Sequence, residues 1–217
     1  MKRPLLFVII AFFLITGCSH TEKEYYPSGI LKSEVRMKNG RYNGKAAYFY
    51  DNGKPMMTCV YVNNKLEGEL TRFYESGYRH ELQNYHEGVL EGVSKTWDRY
   101  AHLLQQITYV KGKAEGPFQE WYHNSIQKVD GHFKNGKYDG IWLYYDENGN
   151  VSGQGEFVEG TGVQKAYYEN GKIKHLTHYL NNIKEGDEVF YKEDGTVDRI
   201  FRYRNGSVED NAQPEKK

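Results

Sequence analysis

Between residues 25 and 206 the chain alternates runs rich in Tyr, Phe, Val and Thr with polar turns rich in Gly, Asn and Asp. The runs are six to nine residues long, the length of a strand, and no window sustains an apolar pattern at helical spacing. The alternation is periodic. Gly44, Gly68, Gly92, Gly116, Gly140, Gly162 and Gly186 succeed one another at steps of 24, 24, 24, 24, 22 and 24 residues. A fixed period of this size signals a repeat array, in which each unit buries its apolar face against its neighbours. The predicted fold is all-β: an elongated antiparallel sheet of about eight successive hairpins.

Other columns keep the same step. Nine residues after each ladder glycine comes a turn position: Gly53, Gly77, Ala101, Ser125, Gly149, Gly171 and Gly195, with Gly29 in the first copy. Asn-Gly and Asp-Gly tolerate the positive φ of tight turns, so Ala101 and Ser125 predict altered or looser hairpins. A second turn series runs Gly40, Asn64, Gly88, Gly112, Gly136, Gly160, Asn182 and Gly206. One aromatic column is Tyr25, Phe49, Phe73, Trp97, Trp121, Tyr145, Tyr167 and Tyr191; a second is Tyr61, Tyr85, Tyr109, Phe133, Phe157, Tyr179 and Tyr203, headed by Met37. Each ring is expected to stack near its counterpart in the next copy.

The ends read differently. Lys2 and Arg3 precede an apolar run from Leu5 to Ile15, followed by Thr16-Gly17-Cys18. A basic start, a short apolar stretch and small residues at a cleavage site describe a secretory signal, here residues 1–17 as a signal helix. Ile15-Thr16-Gly17-Cys18 resembles the bacterial lipobox, which implies that Cys18 is acylated and becomes the mature N-terminus. Residues 18–24 then form a short tether, 25–207 the array, and 208–217 a polar tail expected to be disordered. Cys59, the second of two cysteines, reads as a small apolar strand residue.

Lysine plus arginine and aspartate plus glutamate both number 29, giving a formal charge of zero and no basic stripe for nucleic acid. His175 and His178, three apart, fall on opposite strand faces; His80 and His86 share a face but lie about 20 Å apart. Neither pair chelates an ion from one strand, so no metal and no cofactor is expected. The turn acids Asp51, Glu75, Glu147, Glu169 and Glu193 serve backbone geometry. No nucleophile elbow or phosphate loop is present, and the expectation is a protein that is not an enzyme.

Tyr144-Tyr145-Asp146-Glu147-Asn148-Gly149-Asn150, Tyr167-Tyr168-Glu169-Asn170-Gly171-Lys172 and Lys134-Asn135-Gly136-Lys137-Tyr138-Asp139-Gly140 resemble the MORN repeat, in particular its bacterial variant. The resemblance runs from Tyr25 to Gly206 and departs from the pattern at Ala101 and Ser125. It implies a long sheet of hairpins that contacts partner proteins or lipid headgroups, and bacterial members often carry an antitoxin label. The leading expectation is a non-catalytic scaffold, tethered through acylated Cys18 to a bacterial envelope membrane (the outer one in a Gram-negative host). Its contacts to a protein partner would come from Tyr48, Tyr50, Tyr74, Tyr122, Trp142, Tyr144 and Tyr168. Alternatives are an antitoxin or immunity protein, and a cell-wall carbohydrate binder, since Gly140–Asp146 also resembles glucan- and choline-binding repeats.

Overall fold

The computed structural model describes residues 18–212, all of them in strands, turns and their connections. The expected signal helix over residues 1–17 and the end of the tail lie outside the described residues. Every pairing is antiparallel, and each strand pairs with those before and after it, from Ser19–Tyr25 to Ser207–Ala212. The sheet is one continuous meander. Its eight longer turns close by paired backbone bonds at Tyr26/Ile30, Tyr50/Lys54, Tyr74/Tyr78, Asp98/His102, Tyr122/Ile126, Asp146/Asn150, Tyr168/Lys172 and Lys192/Thr196. The array is wider than expected: residues 19–25 are a strand paired with Leu31–Lys38 rather than a tether, and residues 207–212 pair with Val197–Arg204 rather than trailing free. The cause is register. The hairpin turn 26–30 and the turn at Asn205-Gly206 each return a segment along an existing strand, whose free edge pairs with it.

The other margin carries two-residue turns with both central residues at positive φ, as at Asn39-Gly40, Asn135-Gly136 and Asn205-Gly206. This is the backbone that matches strand twist. Just beyond each turn the register slips. Val35 faces Ala46 and Met37 faces Tyr42, so Arg36 stands opposite three residues, Asn43, Gly44 and Lys45. The ladder glycine sits inside that bulge at positive φ, from Gly44 (φ 121°) to Gly186 (φ 82°). The hairpin Val151–Val158 with Thr161–Tyr167 pairs one to one from Gly153↔Ala166 to Val158↔Thr161, without a slip. The period of 24 is therefore a regular hairpin of 22 residues plus a two-residue bulge, and the short step to Gly162 is the copy without one.

Alternate residues face opposite sides. One face carries a central row, Val35, Ala46, Cys59, Leu70, then Ser94, Ile107, Phe118, Gly131, Trp142, Gly155, and finally Thr177 and Glu188, most of it buried. Two apolar blocks fill it, one around Val35, Met37, Ala46, Cys59 and Leu70, the other around Val129, Trp142 and Phe157. No second layer covers this face among the described residues, yet Trp142 is only 3% exposed. A single sheet buries a side chain that far by curling around it. The rings of Tyr138 and Tyr179, from hairpins two repeats apart, accordingly stand 6.3 Å apart.

Candidate interaction surfaces

The turn margin opposite the bulges is tied by tyrosine. Tyr26, Tyr50, Tyr74, Tyr122 and Tyr168 donate their hydroxyls to the carbonyl oxygens of Phe49, Phe73, Trp97, Tyr145 and Tyr191 at 2.7–2.9 Å, always 23 residues along. The first aromatic column thus supplies backbone acceptors. Its rings are half-buried or exposed, and none contacts its counterpart in the next copy among the described residues. This corrects the expected column-to-column stacking, because neighbouring hairpins hold these positions apart along the margin. In the second column Phe157 and Tyr179 do meet, at 5.7 Å. The aromatic cluster itself is Phe118, Phe133, Tyr138, Trp142, Phe157 and Tyr179 on the curled face.

The seven tyrosine and tryptophan positions expected to meet a partner divide accordingly. Tyr50, Tyr74, Tyr122 and Tyr168 belong to the margin ladder. Tyr48, Trp142 and Tyr144 point into the curled face, where burial pushes the Tyr144 hydroxyl above its usual range. No open aromatic patch brings them together, and the indole of Trp142 has no free face to stack on a sugar ring. Cys59 is buried, which raises its thiol and keeps it protonated.

Two tyrosine-ladder positions hold aspartate. Asp98 is buried and accepts hydrogen bonds from the Tyr100 and His102 amides and from the Nδ1 atoms of His102 (3.0 Å) and His123 (2.8 Å). Burial alone favours the neutral acid, but these donors outweigh it and hold the carboxyl well below the usual range. Asp146 instead caps its own turn through Asn148 and Asn150. The turns at Ala101 and Ser125 are not looser. Both residues adopt positive φ, 70° and 66°, and close the same bonds as glycine does elsewhere. The neighbouring hairpins impose the geometry, and the alanine and serine backbones absorb the strain.

A column that sequence reasoning missed lines the bulge margin. Glu67, Glu91, Glu115, Asp139 and Glu185, each just before a ladder position, accept the backbone N–H of the turn residue 20 positions later. An acidic residue in front of a periodic glycine was the available signal. The turns are also joined directly, from Asn64 N–H to the Tyr42 carbonyl through to Gly206 N–H to the Lys184 carbonyl. At the copy without a bulge, Asn182 reaches over a whole repeat to the Tyr138 amide and the Gly136 carbonyl, both at 2.9 Å.

The outer face is more open. Ile141, Leu143, Val163, Leu176, Val189 and Ile200 stand there half-buried or exposed, with Leu176, Val189 and Ile200 side by side on successive strands. Of the histidines, His175 pairs with buried Glu188 on the curled face and His178 faces outward, so they do part as expected. No group of three or more His, Cys, Asp or Glu among the described residues is arranged to hold a metal ion. No helix among them is long and apolar enough to cross a membrane. Cys18 is exposed at the start of the first strand.

No curated protein matches the chain. Residues 21–39, 42–63, 138–159 and 161–181 match the family model described as the MORN repeat variant. The stretch between, residues 64–137, repeats the same turns, bulges and tyrosine bonds. On its four matched segments the chain carries MORN-variant repeats.

Proposed function

We propose that the protein is a non-catalytic repeat module, held at a bacterial envelope membrane through acylated Cys18, that binds a partner protein along its outer face. Repeats of this kind generally act as protein or membrane interaction modules. The observation that carries the reading is the contrast between the faces. The curled face is filled by its own side chains, whereas the outer face leaves Leu176, Val189 and Ile200 side by side in a partly open apolar strip, with Leu143 set apart beyond Lys165 and Gln154. Such a strip, spread over successive repeats, suits an extended protein partner.

Two experiments test it. A photo-crosslinker at Val189 in the native envelope is expected to capture one discrete partner, and Leu176→Asp to abolish the capture while the sheet stays folded. Capture unaffected by Leu176→Asp would sink the outer-face reading. Separately, Cys18→Ala is expected to lose palmitate labelling and accumulate as precursor; unchanged labelling would remove the anchor.

A further inference from the structure

We propose that Asn39 is a self-modifying site: the backbone nitrogen of Gly40 attacks its side chain and converts it, without an enzyme, into aspartate and isoaspartate. The inference is independent of the anchoring and partner readings above and rests on the turn itself. Asparagine is followed by glycine at seven places in the chain. Glycine has no Cβ to hinder the attack, so every pair is chemically competent. The fold decides which one reacts, because ring closure requires ψ of the asparagine to rotate and swing the following N–H toward Cγ.

Most of these glycines are tied. Gly53, Gly149 and Gly171 donate their N–H groups to the Tyr50, Asp146 and Tyr168 carbonyls of their own turns at 2.9–3.0 Å. Gly136 and Gly206 donate to the carbonyls of Ala114 and Lys184, each 22 positions earlier, at 2.8 and 3.0 Å. Asn43-Gly44 lies inside the strand Arg41–Phe49, and the Asn43 amide donates to Asn63 at 3.3 Å. Gly40 breaks the rule. The carbonyl 22 positions before it belongs to Cys18, and that oxygen accepts the Asn39 N–H at 3.2 Å instead. Neither the Gly40 N–H nor the Asn39 side-chain amide has a partner among the described residues, and both residues are exposed.

The surroundings favour the attack as well. Lys38 and Arg41 flank the turn, both exposed, and make no salt bridge among the described residues. Lys134, beside Asn135, meets Glu159, and Arg204, beside Asn205, meets Glu209. Positive neighbours favour a deprotonated group, here the Gly40 nitrogen, which must lose its proton to react. Water is the only co-reactant. The bond from Gly40 N to Cγ forms as the Cγ–Nδ2 bond breaks, and Nδ2 leaves as ammonia with the proton that Gly40 gave up. Water then opens the resulting cyclic imide at either carbonyl, giving aspartate or isoaspartate. Both products bring a carboxylate between Lys38 and Arg41. Isoaspartate also adds a methylene to the main chain of a two-residue turn held at positive φ, so the first hairpin is the one that ages first.

The test holds the folded protein in mildly alkaline buffer and follows, by peptide mapping and mass spectrometry, the gain of one mass unit at each Asn-Gly pair. Asn39 is expected to convert about fivefold faster than Asn135 and Asn205, the factor that one net backbone hydrogen bond represents. Those two sit in the same kind of turn, so the comparison isolates the missing bond. In urea the same chain is expected to lose that ranking. Lys38→Gln with Arg41→Gln is expected to slow Asn39 severalfold and leave Asn135 at its parental rate. Asn39 converting no faster than Asn135 and Asn205 in the folded chain would overturn the proposal. So would a lead that persists in urea, since it would place the cause in local sequence rather than in the fold. Neither result bears on Cys18 labelling or on capture at Val189.

Discussion

Tyr122 donates its hydroxyl to the carbonyl oxygen of Tyr145 at 2.7 Å, one repeat further along the chain. Both are tyrosines, yet they do different work: one supplies a side-chain donor, the other a backbone acceptor. The same relation recurs along the margin and, with the turn-to-turn bonds of the opposite margin, fastens each hairpin to the next.

Tyr122→Phe removes that hydrogen bond and is expected to destabilise the fold by about 1 kcal/mol. Tyr145→Phe deletes a hydroxyl that bonds nothing among the described residues and should be close to neutral. Urea unfolding of the two variants checks this; equal effects would show that the margin bond is energetically idle.

At Ala101 and Ser125 a side chain occupies a φ of about 70°, where L-residues are strained. Ala101→Gly and Ser125→Gly should each raise stability by up to about 1 kcal/mol, because the strain relieved exceeds the added flexibility of the unfolded chain. A lowered thermal midpoint in either variant would mean that the neighbouring hairpins do not impose this geometry.

The ladder glycines should not respond alike. Gly186 sits at positive φ with open space around it, so Gly186→Ala bears only the backbone penalty, roughly 1–2 kcal/mol. Gly162 has ordinary strand geometry, but a Cβ there would lie 1.9 Å from the Glu156 carbonyl oxygen. Gly162→Ala must push two strands apart and should cost clearly more. Comparison of chemical denaturation midpoints decides it, and the reverse ranking would contradict the bulge-free register.

Acid should loosen the C-terminal repeats. Burial opposes ionisation of Glu188, but the Lys184 ammonium, the Tyr203 hydroxyl and His175 outweigh it, so its carboxyl lies below the ordinary glutamate value. A carboxyl depressed in the fold stabilises above its unfolded value, about 4.3, and loses that contribution as pH falls through the folded value. Asp98 acts with the same sign. Glu188→Gln should therefore be less stable than the parent at pH 7, with the gap closing below about pH 4. Stability curves that stay parallel down to acid pH would refute this.

Much of this was legible in the glycine columns. Gly53, Gly149 and Gly40 mark turns because their backbone settings favour glycine, and strand placement followed from them. The short step to Gly162 was visible as well, though its meaning as a missing bulge needed the register. Roles along the margin were not legible: Tyr50 and Tyr122 look like contact residues until the carbonyl 23 positions away is known to lie beside them. The inward direction of Trp142 depends on curling, a property of the whole sheet that no local pattern encodes. Strand pairing of residues 19–25 was hidden for a simpler reason, since Ser19–Glu24 is polar, the whole segment is exposed, and it pairs as an edge.

Amide hydrogen exchange on Trp142→Ala tests the central claim most directly. If each hairpin is held only by hairpins at most two repeats away, exchange should quicken around residues 118–179, whose rings surround Trp142, and stay at parental rates in residues 19–62. A uniform rise from the first strand to the last would mean one indivisible core, and would contradict an array held by short-range contacts between repeats.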